Sequence, residues 1–156
     1  MEKIAIVRVR GDTKIRKGIK DTLAMLRLYR KNTCVIMDAK KELIGMLTKV
    51  KDYVTWGELD KETFKLLLEK RGLLPGKSKL DEKYLKEHVK LGFDEFTSAV
   101  FEGKKNLKDV PGLKKFFRLN PPVGGFERKG IKIVYASGGA LGYRKDGINK
   151  LIRKMV

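Results

Sequence analysis

The 156-residue chain contains no glutamine, one cysteine, one histidine and one tryptophan. A single cysteine excludes an internal disulfide framework and any zinc site built on cysteines. Cys34 sits in a strand-like run and reads as a small buried residue, not a nucleophile. The lone His88, between Glu87 and Val89, reads as a helix-surface residue, and no metal site or cofactor is expected. No Ser-His-Asp or Cys-His pattern is present, and Asp38, Asp52 and Glu58 have no spacing that demands a shared catalytic site. No apolar run approaches the roughly 18 residues of a membrane-spanning helix, so no membrane partner is expected. Met1-Glu2-Lys3 leads straight into an apolar strand with no secretory signal, which predicts a cytoplasmic protein. The missing glutamine, with few asparagines and many lysines and glutamates, leans toward a thermophilic source.

Negative charge is also short, and unevenly so. Lys and Arg number 37 against 19 Asp and Glu, a formal net charge of +18. Residues 1–57 hold 14 basic against 6 acidic residues, 58–103 hold 9 against 10, and 104–156 hold 14 against 3. Two basic blocks flank a near-neutral middle. A charge this large says little about fold and much about partners: it predicts a polyanion at the two ends.

The apolar pattern begins with Ile4–Arg10, a strand. Alternation places Ala5, Val7 and Val9 on one apolar face and Ile4, Ile6, Arg8 and Arg10 on the other. The second row turns basic and is expected to deliver two arginines to a surface. A helix follows over 15–30, with Ile15, Ile19, Leu23 and Leu26 in its stripe. Lys14, Arg16, Lys17 and Lys20 crowd its start, where the helix dipole disfavours cations. They are expected to serve a phosphate outside the fold. Arg27, Arg30 and Lys31 lie at the other end, where dipole compensation is a sufficient reason for them. Thr33–Asp38 is apolar on both faces and predicts a central strand. A helix over 40–51 and a strand over 53–57 complete a β-α-β-α-β order. This is an α+β pattern, or a small split sheet with both helices on one face.

Residues 58–103 read as helices. Asp60 and Asp81 are placed as N-caps with Leu59–Phe64 and Leu80–Leu85 staples, and Gly72 closes the first helix. The basic block from 104 holds a broken segment over 107–117, the loop Asn120–Phe126, and a short strand over 131–135. A glycine loop over 137–142 and a last helix capped by Asp146 complete it. The expected segments are a core, 1–57, a helical segment, 58–103, and a mixed α/β extension, 104–156. The last two can pack on the core as one unit.

The glycine loop follows a predicted strand and precedes a helix, which raises nucleotide chemistry. It matches neither G-x-G-x-x-G nor the P-loop, since no Gly-Lys-Ser/Thr follows. A nucleotide-dependent or RNA-processing enzyme is therefore the minor alternative, and a turn or a phosphate approach backed by Arg144 and Lys145 the major one. A DNA-compacting protein shares the charge but predicts equal binding to random duplex. Tyr29, Tyr53, Trp56, Tyr135 and Tyr143 raise the question of base stacking; Trp56 is assigned to the core, and stacking by Tyr143, between Gly142 and Arg144, is a minor reading.

Several of these stretches together carry a resemblance. Val7-Arg8-Val9-Arg10, the basic loop after it, Leu26–Thr33 with Arg30-Lys31-Asn32, and Val54-Thr55-Trp56-Gly57 resemble the large-subunit ribosomal protein family called L-thirty in bacteria. Asn120-Pro121-Pro122 with Gly124-Gly125-Phe126, and Gly138-Gly139-x-Leu141-Gly142-x-Arg144 before Ile148-Asn149-x-Leu151-Ile152, resemble the extension of archaeal and eukaryotic relatives, named L-seven in eukaryotes. Eukaryotic members carry a long basic N-terminal extension. This chain starts at the first strand, which points to the archaeal form.

The resemblance implies a ferredoxin-like sheet of three antiparallel strands under two helices, no catalysis and no cofactor. It implies a structural role in the cytoplasmic ribosome, with large-subunit rRNA as partner. Neighbouring ribosomal proteins are further partners, with 58–103 as their candidate surface. No small-molecule substrate is implied. The expected phosphate-binding residues are Arg8, Arg10, Lys14, Arg16, Lys17, Lys20, Arg30 and Lys31 from the first block. From the second they are Arg118, Arg128, Lys129, Lys132, Arg144 and Lys145.

Overall fold

The strand β1, Lys3–Arg8, is buried along its whole length because apolar layers cover both of its faces. A computed structural model describes residues 3–156, apart from the Lys77 side chain, so the reading placed on Met1 and Glu2 lies outside the described residues. β1 pairs antiparallel with β2, Thr33–Asp38, and with β3, Val54–Glu58. Helices α1, Lys17–Met25, and α2, Lys41–Val50, cover one face. Ile4, Ile6, Leu23, Leu43, Leu47 and Val54 meet there in one apolar cluster. The expected β-α-β-α-β core is present.

The remaining chain does two things to this core. Two-residue strands extend the sheet at both edges: β4, Phe117–Arg118, runs antiparallel to β2, and β5, Gly142–Tyr143, parallel to β3. The sheet is thus five-stranded and mixed, in the order β4-β2-β1-β3-β5, with β1 in the middle. Helices α3, Lys61–Arg71, α4, Glu82–Val89, α5, Phe93–Phe101, and α6, Gly147–Met155, build up the second face. Ala5, Val7 and Cys34 pack there in one cluster with Phe64, Leu85, Phe96, Phe117 and Ile152. The segments that differ in charge share this core.

Local departures from the sequence pattern have physical causes. α1 ends at Met25, not near 30, because Arg27 takes a left-handed conformation with φ 60°. Leu28 N–H then donates to the Leu23 carbonyl at 2.9 Å and Arg27 N–H to the Ala24 carbonyl at 2.9 Å, which is a Schellman closure. Leu23 and Leu28, both buried, supply its apolar contact. Asp60, Asp81 and Asp146 stand at helix starts, yet none makes a side-chain cap bond. Asn149 of α6 instead accepts from Asp60 N–H at 3.1 Å and donates to the Glu58 carbonyl at 3.0 Å, tying the last helix to the start of α3.

The strand expected over 131–135 does not form. Ile131, Ile133 and Val134 are exposed, and the segment turns on itself through Tyr135 N–H to Leu141 C=O and Leu141 N–H to Ile133 C=O. Val134 makes a single bridge to Leu141.

Candidate nucleic-acid interface

β1 ends where β2 and β3 begin, since Val7 pairs with Cys34 and Arg8 with Val54. β4 ends beside Thr33 and β5 begins beside Thr55, so the exit from β4 and the approach to β5 reach the same end. The β1–α1, α1–β2 and α2–β3 connections therefore gather there with the exit from β4 and the approach to β5. Exposed on these connections and the first turns of α1 are Lys14, Arg16, Lys17, Lys20, Arg30 and Lys31. Arg118 pairs across from Thr33 and lines a small cleft of about 170 Å³ with Tyr29, Arg30, Lys31 and Phe116. The two basic blocks thus meet here, although 87 residues separate Lys31 from Arg118.

The start of α1 keeps the mismatch seen in the sequence. Its N-cap is Arg16, no side chain caps it, and no acid lies in its first turn. Lys49, at the end of α2, comes within 3.8 Å of where a Cβ on Gly18 would sit and adds a cation that sequence reasoning missed. Arg10 is half-buried: its guanidinium lies 5.1 Å from the Tyr53 ring centre and donates to the Asp52 carbonyl at 3.2 Å. Arg128, Lys129, Lys132 and Lys145 are exposed on the segments flanking β5.

Two of the expected arginines do not reach the surface. Arg8 is 2% exposed. Its Nε donates to the Arg10 carbonyl and its Nη1 to the Leu28 carbonyl, both at 2.8 Å, and its Nη2 binds the Asp12 carboxylate. The guanidinium holds the Asp12 carboxyl below the usual carboxylate range. A fork with five donors can tie separate loops together, and Arg8 ties the β1–α1 loop to the α1–β2 loop. Alternation had put Arg8 on the right face of β1, but α1 and its loop cover that face.

Arg144 does the same for the second block and is 3% exposed. It grips Glu127 through both oxygens, at 2.5 and 3.1 Å, and donates to Thr55 Oγ1 and the Ala140 carbonyl, each at 2.8 Å. The Tyr135 ring lies 4.7 Å from the guanidinium. Arg144 thereby fastens the long 119–141 connection to β3. The glycine loop serves this packing, since a Cβ on Gly139 would lie 2.0 Å from the Ile133 carbonyl oxygen.

The aromatic placement also differs. Tyr143 directs its hydroxyl to Glu58. The aromatic that lies among cations is Tyr29, 55% exposed and edge-on to Phe116 at 6.3 Å between ring centres, with the Arg118 guanidinium 5.9 Å from the Phe116 ring. An aromatic inside the run Leu28-Tyr29-Arg30-Lys31 was the available signal. Asp38 and Glu58 sit at the far end of the sheet, on strands flanking β1, and Asp52 at the near end, so the three carboxylates do not meet. Cys34 is buried, and burial pushes its thiol up to about 12. His88 stacks on Tyr84 with ring centres 4.1 Å apart. Among the described residues, no group of His, Cys, Asp and Glu could hold a metal, and no helix is long and apolar enough to cross a membrane.

Comparison with known proteins decides the family. A family model described as ribosomal protein L30p/L7e matches residues 4–54. A large ribosomal subunit protein uL30 of Methanopyrus kandleri is 48% identical over 149 residues, 95% of this chain and 100% of that protein. The chain belongs to the L30p/L7e family of ribosomal proteins. Proteins of the same name from Methanococcus vannielii, 50% identical over 152 residues, and Nanoarchaeum equitans, 48% over 152, cover 97% of this chain and 98% and 97% of their own lengths. These L30p/L7e relatives match through the extension as well as the core, so the resemblance read at 120–126 and 138–152 is part of a full-length relationship. The family is structural and not enzymatic, and the nucleotide alternative falls with it.

Proposed function

We propose that this protein is a structural constituent of the large ribosomal subunit that holds folded rRNA by phosphate contacts at the loop end of its sheet. The contacts come from Arg10, Lys14, Arg16, Lys17, Lys20, Arg30, Lys31, Arg118, Arg128, Lys129 and Lys132, with Lys49 added and Lys145 extending them along the β5 edge. The observation that carries this is convergence: cations from both basic blocks flank one cleft at Arg30, Lys31 and Arg118. Arg8 and Arg144 act from inside, shaping the loops that present the others. Phosphate contacts fix position and carry no sequence code, so selection falls to RNA shape and unpaired bases. Tyr29 is set to stack on such a base. The near-neutral 58–103 segment covers the second face of the sheet and leaves the basic ends free.

The test is affinity for large-subunit rRNA against random duplex DNA across a salt series. Preference for rRNA that persists at high salt supports the reading. Equal affinity with equal slopes means generic counterion release and overturns it. Tyr29→Leu weakens rRNA binding by about fivefold to a hundredfold with an unchanged salt slope, the effect of losing about 1–3 kcal/mol of stacking.

A further inference from the structure

β4 covers only the first two residues of β2, with Thr33 opposite Arg118 and Cys34 opposite Phe117. Val35–Asp38 then runs on as an outer edge of the sheet. Leu119 N–H donates to the Asn32 carbonyl at 2.9 Å, so Asn32 and Cys34 turn their carbonyls toward β4. Ladder groups alternate sides along a strand. Ile36, two residues past Cys34, therefore directs its N–H and C=O outward where no strand pairs with it. The next carbonyl on that side, Asp38, already accepts from Lys40 N–H at 2.8 Å. An open strand edge is a template for another chain.

This edge floors a cleft of about 640 Å³. Met25, Leu43 and Met46 form the wall on the α1–α2 side, and Val100 and Leu107 the wall on the other. Met25 is 65% exposed. The rim carries Arg27, Lys40, Lys108 and Lys115 against Glu42, while Asp38 is occupied by Lys3.

We propose that this cleft binds an extended protein segment that adds to Val35–Asp38 as a further strand, apolar along its middle and acidic at its ends. Backbone edges recognise backbone. An added strand sends alternate side chains to opposite sides, and both walls here are apolar, with methionines able to adapt their shape. The excess of rim cations selects acidic flanks. A second copy pairing through the same edge would set those cations against themselves. A nucleic acid strand would lay phosphates over the methionine wall and leave the Ile36 groups unused.

The test is an NMR titration of the full-length protein with a capped octapeptide carrying Val-Ile-Val-Met between pairs of acidic residues. The expected result is saturable binding that slows exchange of the Ile36 amide at least tenfold and shifts the Met25 and Met46 methyls. Lys108→Glu with Lys115→Glu weakens binding at least tenfold. A peptide N-methylated on its edge-facing amides does not bind. The proposal is overturned if the peptide leaves these signals unmoved or the N-methylated peptide binds as well. It is equally overturned if an oligouridylate occupies the cleft in competition, or if the Ile36 amide becomes protected with rising protein concentration alone.

Discussion

Replacing Arg8 by methionine separates a pinning residue from a phosphate-binding one. Methionine reaches about as far as the arginine Nε and keeps the apolar stem, so the packing around that stem changes little. What is lost is three sets of hydrogen bonds, to the Arg10 carbonyl, the Leu28 carbonyl and Asp12. Asp12 is 52% exposed and returns to water, which makes its share small. The Leu28 carbonyl is buried and the Arg10 carbonyl partly so, and each orphaned group costs about 1–3 kcal/mol. Loss of guanidinium desolvation offsets part of this, leaving a destabilisation of about 2–3 kcal/mol. For a chain of this size that is a drop in Tm of about 5–10 °C, seen in urea as a midpoint shift of about 1–2 M at unchanged m. The salt dependence of rRNA binding should not move, because no phosphate contact is removed. Lys14→Ala, by contrast, should lower the slope by about 0.7–0.9 and leave the urea midpoint in place. An Arg8→Met variant of wild-type stability with a slope shallower by nearly one unit would refute the pin and return Arg8 to the RNA surface.

The same logic gives Arg144→Met, and less severely Glu127→Gln, a loss of about 2–4 kcal/mol, with limited proteolysis opening first within 124–141. Gly57→Ala should cost about 4 kcal/mol or more, read by calorimetry, because a Cβ there would stand 2.0 Å from the Lys145 carbonyl oxygen, which is backbone and cannot move aside. Asp12 has its carboxyl held low by Arg8, so its contribution is fully present above the ordinary carboxylate pKa near 4 and fades as pH falls through the lower folded value. Asp12→Asn should lower stability modestly above the ordinary carboxylate pKa and leave it unchanged near pH 2, which flattens the acid limb in urea titrations from pH 6 to 2.

Much of the fold was legible because it rests on local periodicity. Alternation in Ile4–Val9 and the 3.6-residue stripes of α1 and α2 each report which face is apolar, and apolar faces must be covered. Helix starts at Asp60 and Asp81 were readable from composition, although their side chains make no cap bond. Periodicity failed where segments are too short or too solvated to obey it. A two-residue strand such as β4 or β5 has no period, and it forms only because β2 and β3 offer open edges. Ile131–Tyr135 has the alternation of a strand but no neighbour to pair with, and it folds back on Leu141 instead.

The candidate site was legible as chemistry and not as geometry. By itself the sequence determined the excess of cations, their concentration in two blocks, the β-α-β-α-β core and the family, since all of these are properties of composition and local order. Only the tertiary structure decided which cations are free. The partners of Arg8 lie on two loops, the carboxylate holding Arg144 lies 17 residues before it, and Arg30 meets Arg118 across most of the chain. Whether a guanidinium faces water or a ring of carbonyls and a carboxylate depends on what the rest of the chain brings to it, and one strand's alternation carries no record of that.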